Sequence, residues 1–438
     1  MKLDRKILLL LSLGAAVVLG TPVFAAETRA LTLDQALEIA DGRNRDILKA
    51  KEYFRLVEGK YVEERAAALP QLTLSSYALR QQDDSQAAIA AGLIPTTENS
   101  YVADASFTQA LYTWGKVGAA IRAAKLGFQT ADERLRIARQ DTRRDVTAAF
   151  CDILLARELE RIARQNLEQK ERHREEAERR YAAGVATDYD ILAARVAVEN
   201  ARPETIRTEN QLRTTRDRLR YYLALEEDVD ASGTLEETPA PVPGYDTALA
   251  TARRRRPELE ELRRRKEIFD ELIIIANADD KPRLDLKGGA GWRRLETGGV
   301  SGDGKDWNLG VYLSFPFFDG LKTRGKVAQT ESERRSLEID ELKLVESISL
   351  EIRDAVNALR EATEIVRALS GTVDQAQRLL AMAEQGYELG VKIRLEVDDA
   401  ELNLLRAQGN LARARRDCLV ARVNLDRVMG VLGEGSDR

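Results

Sequence analysis

The feature that most constrains this chain is a helical hairpin whose sequence occurs twice at one constant offset. The first copy turns at Arg180-Tyr-Ala-Ala-Gly-Val-Ala-Thr-Asp-Tyr-Asp190, the second at Gly386-Tyr-Glu-Leu-Gly-Val-Lys-Ile-Arg-Leu-Glu396. Tyr181 pairs with Tyr387, Gly184 with Gly390, Val185 with Val391 and Asp190 with Glu396. The same offset relates Lys116 to Lys322, Val146 to Ile352 and Ile191 to Val397. A register held over that distance marks an internal repeat. In the second copy apolar residues recur at Val345, Ile348, Ile352, Ala355, Leu359, Ala362, Val366, Leu369, Val373, Ala376, Leu380, Ala383 and Tyr387, at spacings of three and four. After Gly390 the pattern resumes through Val397, Ala400, Leu404, Ala407 and Leu411 to Val428. That alternation is the seam of a coiled coil. The first copy keeps it over shorter stretches, Val146 to Ala156 and Ile191 to Ala201. No proline interrupts the outgoing arms, 117–184 and 322–390. At the helical rise such an arm reaches roughly 100 Å. Arms of that length build a rod or the wall of a tube.

The chain opens with Lys2, Arg5 and Lys6, an apolar run from Ile7 to Gly20, and small residues around Ala25. This predicts a secretory signal peptide over residues 1–25, its removal, and a mature chain beginning near Ala26. No cysteine follows the run, so a lipoprotein anchor is not expected. Beyond it no apolar stretch is long enough for a membrane-spanning helix. A membrane, if met at all, must be met with strands. Charged residues make up 32% of the chain with a net charge of −5, and no region keeps a lasting basic excess, which argues against a nucleic-acid partner. The run Arg253 to Arg256 is expected to be a solvated helix face. Cys151 and Cys418 are too few for a disulfide framework, and Cys418 occupies a seam position as a small hydrophobe.

Each repeat begins with a helical pattern. The first runs from Leu31 to Ala68 with Thr32 as N-cap, the second from Tyr245, and Pro70 and Pro282 end them at equivalent places. The period then changes to two. Leu284, Leu286, Gly288, Ala290 and Trp292 alternate with Asp285, Lys287, Gly289, Gly291 and Arg293. After a turn expected within Thr297 to Gly304 come Trp307, Leu309, Val311, Leu313, Phe315 and Phe317. The first repeat carries a weaker hairpin, with Leu72 and Leu74 on one strand, Tyr101 to Leu111 on the other, and a polar loop near Gln81 to Ser100. Strands of this length with one apolar face suit a bilayer, but four of them cannot close a barrel, so several chains are expected to contribute. The predicted organisation is a first repeat over 26–225 (strand hairpin about 71–113, helical hairpin about 115–223) and an extended connector over 226–244. A second repeat follows over 245–430 (strand hairpin about 283–318, helical hairpin about 321–430), with a polar tail at 431–438. Pro203 is expected to kink or break the first returning arm, where the second copy has Gly409.

Two copies of helix, strand hairpin, long helix, Tyr-x-x-Gly turn and returning helix resemble the TolC-type outer-membrane efflux protein family. The most specific element is Tyr387-x-x-Gly390-x-x-x-x-Leu395-Glu396-Val397-x-x-Ala400-x-x-x-Leu404, and the likeness spans Leu31 to Gly430. The fold class so implied is mainly α with β: long coiled-coil hairpins plus four strands per chain in a homotrimer with one twelve-stranded barrel. The resemblance implies a passive exit duct in the outer membrane of a Gram-negative bacterium, embedded in lipid, with a periplasmic tunnel. It also implies docking on a periplasmic adaptor (membrane fusion) protein and an inner-membrane transporter, for efflux or type I secretion. It further implies a pore constriction ringed by Glu396 and Asp399, a gate latch of Asp190, Tyr387 and Lys392, and adaptor-docking tips at Gly184, Val185, Ala186, Gly390 and Val391. The best-known member has an arginine where Lys392 stands and an aspartate where Glu396 stands. Lysine cannot make arginine's planar two-donor contact. From the residues alone, Glu396 and Asp399 read as acids favoured at a helix start, Lys392 as an exposed lysine, Tyr387 as seam packing, and the glycines as helix terminators.

No nucleophile elbow, phosphate loop or metal-ligand cluster appears, so neither an enzyme nor a cofactor is expected. The single histidine, His173, stands in a charged run and reads as a solvated helix face. The reading from another class is a soluble periplasmic coiled-coil scaffold.

Overall fold

The computed structural model of the chain describes residues 29–82, 97–236 and 241–433. The expected signal peptide, most of the first strand-hairpin loop, Pro239 and the last residues of the tail lie outside them. The first half runs β1 (Arg29–Leu31), α1 (Leu33–Arg43), α2 (Arg45–Ala66), β2 (Gln71–Gln82), β3 (Thr97–Tyr112), α3 (Lys116–Ala182) and α4 (Asp188–Leu223). The second runs β4 (Val229–Ala231), α5 (Tyr245–Arg255), α6 (Pro257–Asn277), β5 (Arg283–Thr297), β6 (Val300–Ser314), α7 (Lys322–Glu388) and α8 (Arg394–Val428). The two outgoing helices, α3 and α7, are each 67 residues long, roughly 100 Å at the helical rise.

Thr32 caps α1 as its sequence predicts. Its hydroxyl accepts from the Gln35 N–H, and the Gln35 side chain accepts from the Thr32 N–H. The single helix expected from Leu31 to Ala68 is two helices, because Asn44 leaves helical geometry and its carboxamide oxygen caps α2 through the N–H groups of Asp46 and Ile47. The connector is not merely extended. Its β4 pairs in parallel with β1, Leu31 opposite Ala231, and Arg157 and Arg216 hold Asp230 at 2.6 and 2.7 Å. Pro203 lies inside α4 without breaking it. Val198, Ala201 and Thr205 are all buried around it, so seam packing holds the helix on both sides of the missing hydrogen bond. Arg253, Arg254 and Arg255 are exposed as expected, but Arg256 is not. It precedes α6, is buried, and is neutralised by Glu258 (3.1 Å) and Glu351.

Two cores lie where short elements meet the long helices. Leu31, Ala36 and Ala40 pack with Val146, Ile153, Leu219, Leu223 and Val229 in the first half. Ala248 and Leu259 pack with Ile348, Ile352, Leu359 and Leu425 in the second. The predicted seams are buried where they cross these cores, Val146 to Ala156 and Ile348 to Leu359, and only partly buried at Val366, Val373, Leu380, Leu404 and Leu411. Cys418 sits beside the second core as a free thiol near the Thr363 hydroxyl.

The four long strands form one antiparallel sheet in the order β2-β3-β5-β6. Register places Leu72, Phe107, Gly288 and Leu309 in one cross-strand row, and Leu74, Ala105, Ala290 and Trp307 in the next. Alternate rows, such as Thr73, Ser106, Gly289 and Asn308, carry polar or small residues. The sheet thus has one apolar and one polar face. No described element covers the apolar face: Leu74 is 82% and Trp307 79% exposed. The turn expected over Thr297 to Gly304 is only Gly298-Gly299. Both glycines have positive φ, the condition for a two-residue hairpin turn whose twist matches its strands, so β6 runs on through Gly302 and Gly304.

Candidate functional site at the helical tips

Both hairpins end in the same backbone device. Gly184 and Gly390 adopt φ of +74° and +72°. The N–H of the following valine then returns to the residue five before it, Val185 to the Arg180 carbonyl at 2.9 Å and Val391 to the Gly386 carbonyl at 2.8 Å. Each returning helix starts with an acid that folds back on its own N-terminus. Asp190 Oδ2 accepts from the Thr187 N–H and hydroxyl, both at 2.8 Å. These bonds, the backbone one first, hold its carboxyl below the usual carboxylate pKa. Its repeat mate Glu396 accepts from the Ile393 N–H at 3.1 Å and pairs with Lys392 at 2.6 Å. The Lys392 hydrogen bond is the main cause of its lowered pKa. Asp399 is exposed one turn further along α8.

Asp190 and Tyr387 line one groove at the tip, together with Arg180, Val185, Ala186 and Arg394. Within the chain their bonds go elsewhere. The Tyr387 hydroxyl accepts from Arg180 at 3.1 Å, and the guanidinium groups of Arg180 and Arg394 lie 5.6 and 5.8 Å from its ring centroid. Lys392 faces Glu396 rather than the first hairpin. Val185 and Val391, at the extreme tips, are 74% and 80% exposed.

Behind this groove is a cluster that periodicity did not single out. Glu401 of α8 is only 3% exposed and sits against α3. It accepts from Gln169 and Lys170, each at 2.6 Å, and lies 3.0 Å from His173 Nε2. Burial disfavours its charge, but the His173 and Lys170 hydrogen bonds outweigh that and draw its pKa down to about 2. Asp398 receives Lys170 at 3.1 Å and Arg394 at 3.4 Å. Arg394 Nη1 also lies 3.2 Å from His173 Nδ1. His173 is therefore not a solvated residue but part of the bond between the two hairpins. Glu401 adjoins the seam residue Ala400, yet its partners lie more than two hundred residues away, and no local pattern announces them.

The family model for outer membrane efflux proteins matches residues 36–225 and 248–431. The chain belongs to the outer membrane efflux protein family. It is similar to the outer membrane protein OprJ of Pseudomonas aeruginosa, at 26% identity over 92% of this chain and 84% of that one. It is also similar to the alkaline protease secretion protein AprF of the same species, at 27% over 84% of this chain and 78% of that one. The outer membrane channel CmeC of Campylobacter jejuni shares the fold with a TM-score of 0.79 at 17% identity, over 91% of this chain and 85% of that one. A family member of this kind is an outer-membrane exit duct, and its helices and strands are the tunnel and barrel parts of one. The soluble scaffold finds no support among these relatives.

Proposed function

We propose that three copies of this chain close one twelve-stranded barrel and continue it as a helical tunnel that shuts at the hairpin tips. The sheet carries this reading. Among the described residues its edges, β2 and β6, are unpaired and its apolar face is bare. Unpaired edges are not tolerated in a bilayer core, so closure has to come from further copies. β5 and β6 are each 15 residues long, more than the roughly ten that a tilted strand needs to cross a bilayer.

At the other end, Glu396 and Asp399 ring the constriction. Three copies concentrate six carboxylates there, which attract cations and repel anions. Asp190, Tyr387 and Lys392 form the latch with neighbouring tips, and a docking partner releases it by offering these groups other contacts. Gly184, Val185, Ala186, Gly390 and Val391 form the exposed apolar tips that a periplasmic adaptor grips, with an inner-membrane transporter behind it. The relatives above include one named for protease secretion, so both efflux and type I secretion remain within the family's range.

Cell fractionation followed by bilayer recording tests this. The expected species is a heat-sensitive trimer in the outer-membrane fraction whose cation preference falls with Glu396→Ala and Asp399→Ala. A monomer in the periplasm, or a selectivity unmoved by both substitutions, overturns it.

A further inference from the structure

The contact between His173 and its two neighbours has a defined direction. Arginine carries only donors, so at 3.2 Å Arg394 donates to His173 Nδ1, which must then be the bare nitrogen. The proton of the neutral ring therefore sits on Nε2 and is donated to Glu401 at 3.0 Å. A second proton can go only to Nδ1. That removes the acceptor Arg394 uses and sets two cations against each other, while Glu401 gains an ion pair.

We infer that His173 is a proton-operated coupling between the two hairpins, and that its protonation detaches the start of α8 from α3 and favours the open tip. This rests on the reading that the duct closes at its tips. The imidazole contacts Glu401 and Arg394 of α8, and the groove it lines also holds the charged and titratable groups Lys170, Glu176 and Arg180 of α3, Tyr189 and Asp190 of α4, Tyr387 of α7 and Asp398 of α8. Arg394 is the first residue of α8 and lies over the Tyr387 ring. Displacing it loosens Tyr387 and the turn leading to Glu396 together. Lys170 stays on Glu401 and Asp398, so the hairpins remain attached below the tip. Imidazole is the side chain whose ordinary charge change falls between pH 5 and 8. His173 is the only histidine in the chain, so a response in that window can be assigned by one substitution.

The test is bilayer conductance of the full-length channel between pH 8 and pH 5.5. Wild type is expected to open by roughly five-fold or more on acidification, the lower range of coupling between sites. His173→Gln keeps a neutral donor and acceptor and is expected to give a flat profile. His173→Arg is expected to be open across the range. If His173→Gln follows the wild-type curve, or if wild type stays flat while Glu396→Ala and Asp399→Ala change conductance, the proposal fails and the tip closure stands. If those two carboxylate variants change nothing, the tip closure itself fails. Nitrogen-15 spectra of the lone imidazole decide the local claim independently of gating. The neutral ring must carry its proton on Nε2 at pH 8, and a proton on Nδ1 overturns the wiring.

Discussion

The two hairpin tips share a backbone and a set of turn residues, but their side chains find different partners. The repeat mates Tyr181 and Tyr387 show the difference most directly. Tyr181 turns to Asp188 in its own hairpin, a contact that raises its pKa, whereas Tyr387 reaches across to Arg180 of the other hairpin. The second tip has a small apolar plug in which Ala383, Val397 and Ala400 are buried against Leu380 and Tyr387. In the first tip Arg174 stands where the second has Leu380, and Tyr189 and Leu192 are 77% and 63% exposed. The second tip also carries Arg394, Asp398 and Glu401, whose mates in the first are Asp188, Leu192 and Arg195. Duplication thus preserved the turn, which geometry dictates, and left the side chains free to diverge. One tip became an anchored element and the other a more open partner.

The comparison can be broken most decisively at Glu401. Replacing it with alanine leaves Lys170 half-enclosed without its main partner, and breaking such a pair costs about 3 kcal/mol. Thermal unfolding should show the loss, with amide exchange rising along 165–180 and 394–405. A cost near zero would mean that the hairpins do not depend on this bond. Next comes the plug. Val397→Ala removes two buried methyl groups, about 1.5 kcal/mol, whereas Ile191→Ala at the partly buried mate position is expected to cost less. Equal costs would erase the proposed difference between the tips. The shared backbone predicts the opposite pattern for glycine. Gly184→Ala and Gly390→Ala should each cost about 1 kcal/mol, because both force a side chain into the left-handed region, and unequal melting shifts would contradict an identical turn.

Smaller effects concern the caps. Thr187→Ala removes a side-chain cap that the second tip lacks, at a cost of about 1 kcal/mol. Ile393→Thr should recover a similar gain, measured as protection of the first turn of α8. Acidification then tests both caps together. The folded pKa values of Asp190 and Glu396 are lowered, so their contribution is complete above the ordinary carboxylate range and is lost as pH falls through the depressed values. Fraying of both helix starts is expected below about pH 4, and Glu401, drawn down to about 2, should hold longest.

Much of the architecture was legible because it rests on period. Spacings of three and four set the lengths of α3, α4, α7 and α8, and the change to period two after Pro70 and Pro282 located the strands. Even the Thr32 cap was readable, since a cap acts within one turn. The break at Asn44 escaped because a side-chain cap inside an apolar pattern leaves the period unchanged. Gly298-Gly299 was diluted by nearby Gly302 and Gly304, which look like turn residues but lie in β6.

What the sequence determined by itself, then, are the properties that neighbours in the chain settle together: helix, strand, turn and repeat. Tertiary structure alone decided which charges became partners across elements. Arg256 and His173 look solvated in their own segments, and only the packing of α6 against α7 and of α3 against α8 buries or pairs them. A helix shows on its own surface which residues are apolar, but not which charge on a distant helix will face them, because that depends on the register of two rods set by everything between. The lone histidine takes its role from Glu401 and Arg394, two residues on a helix more than two hundred positions away.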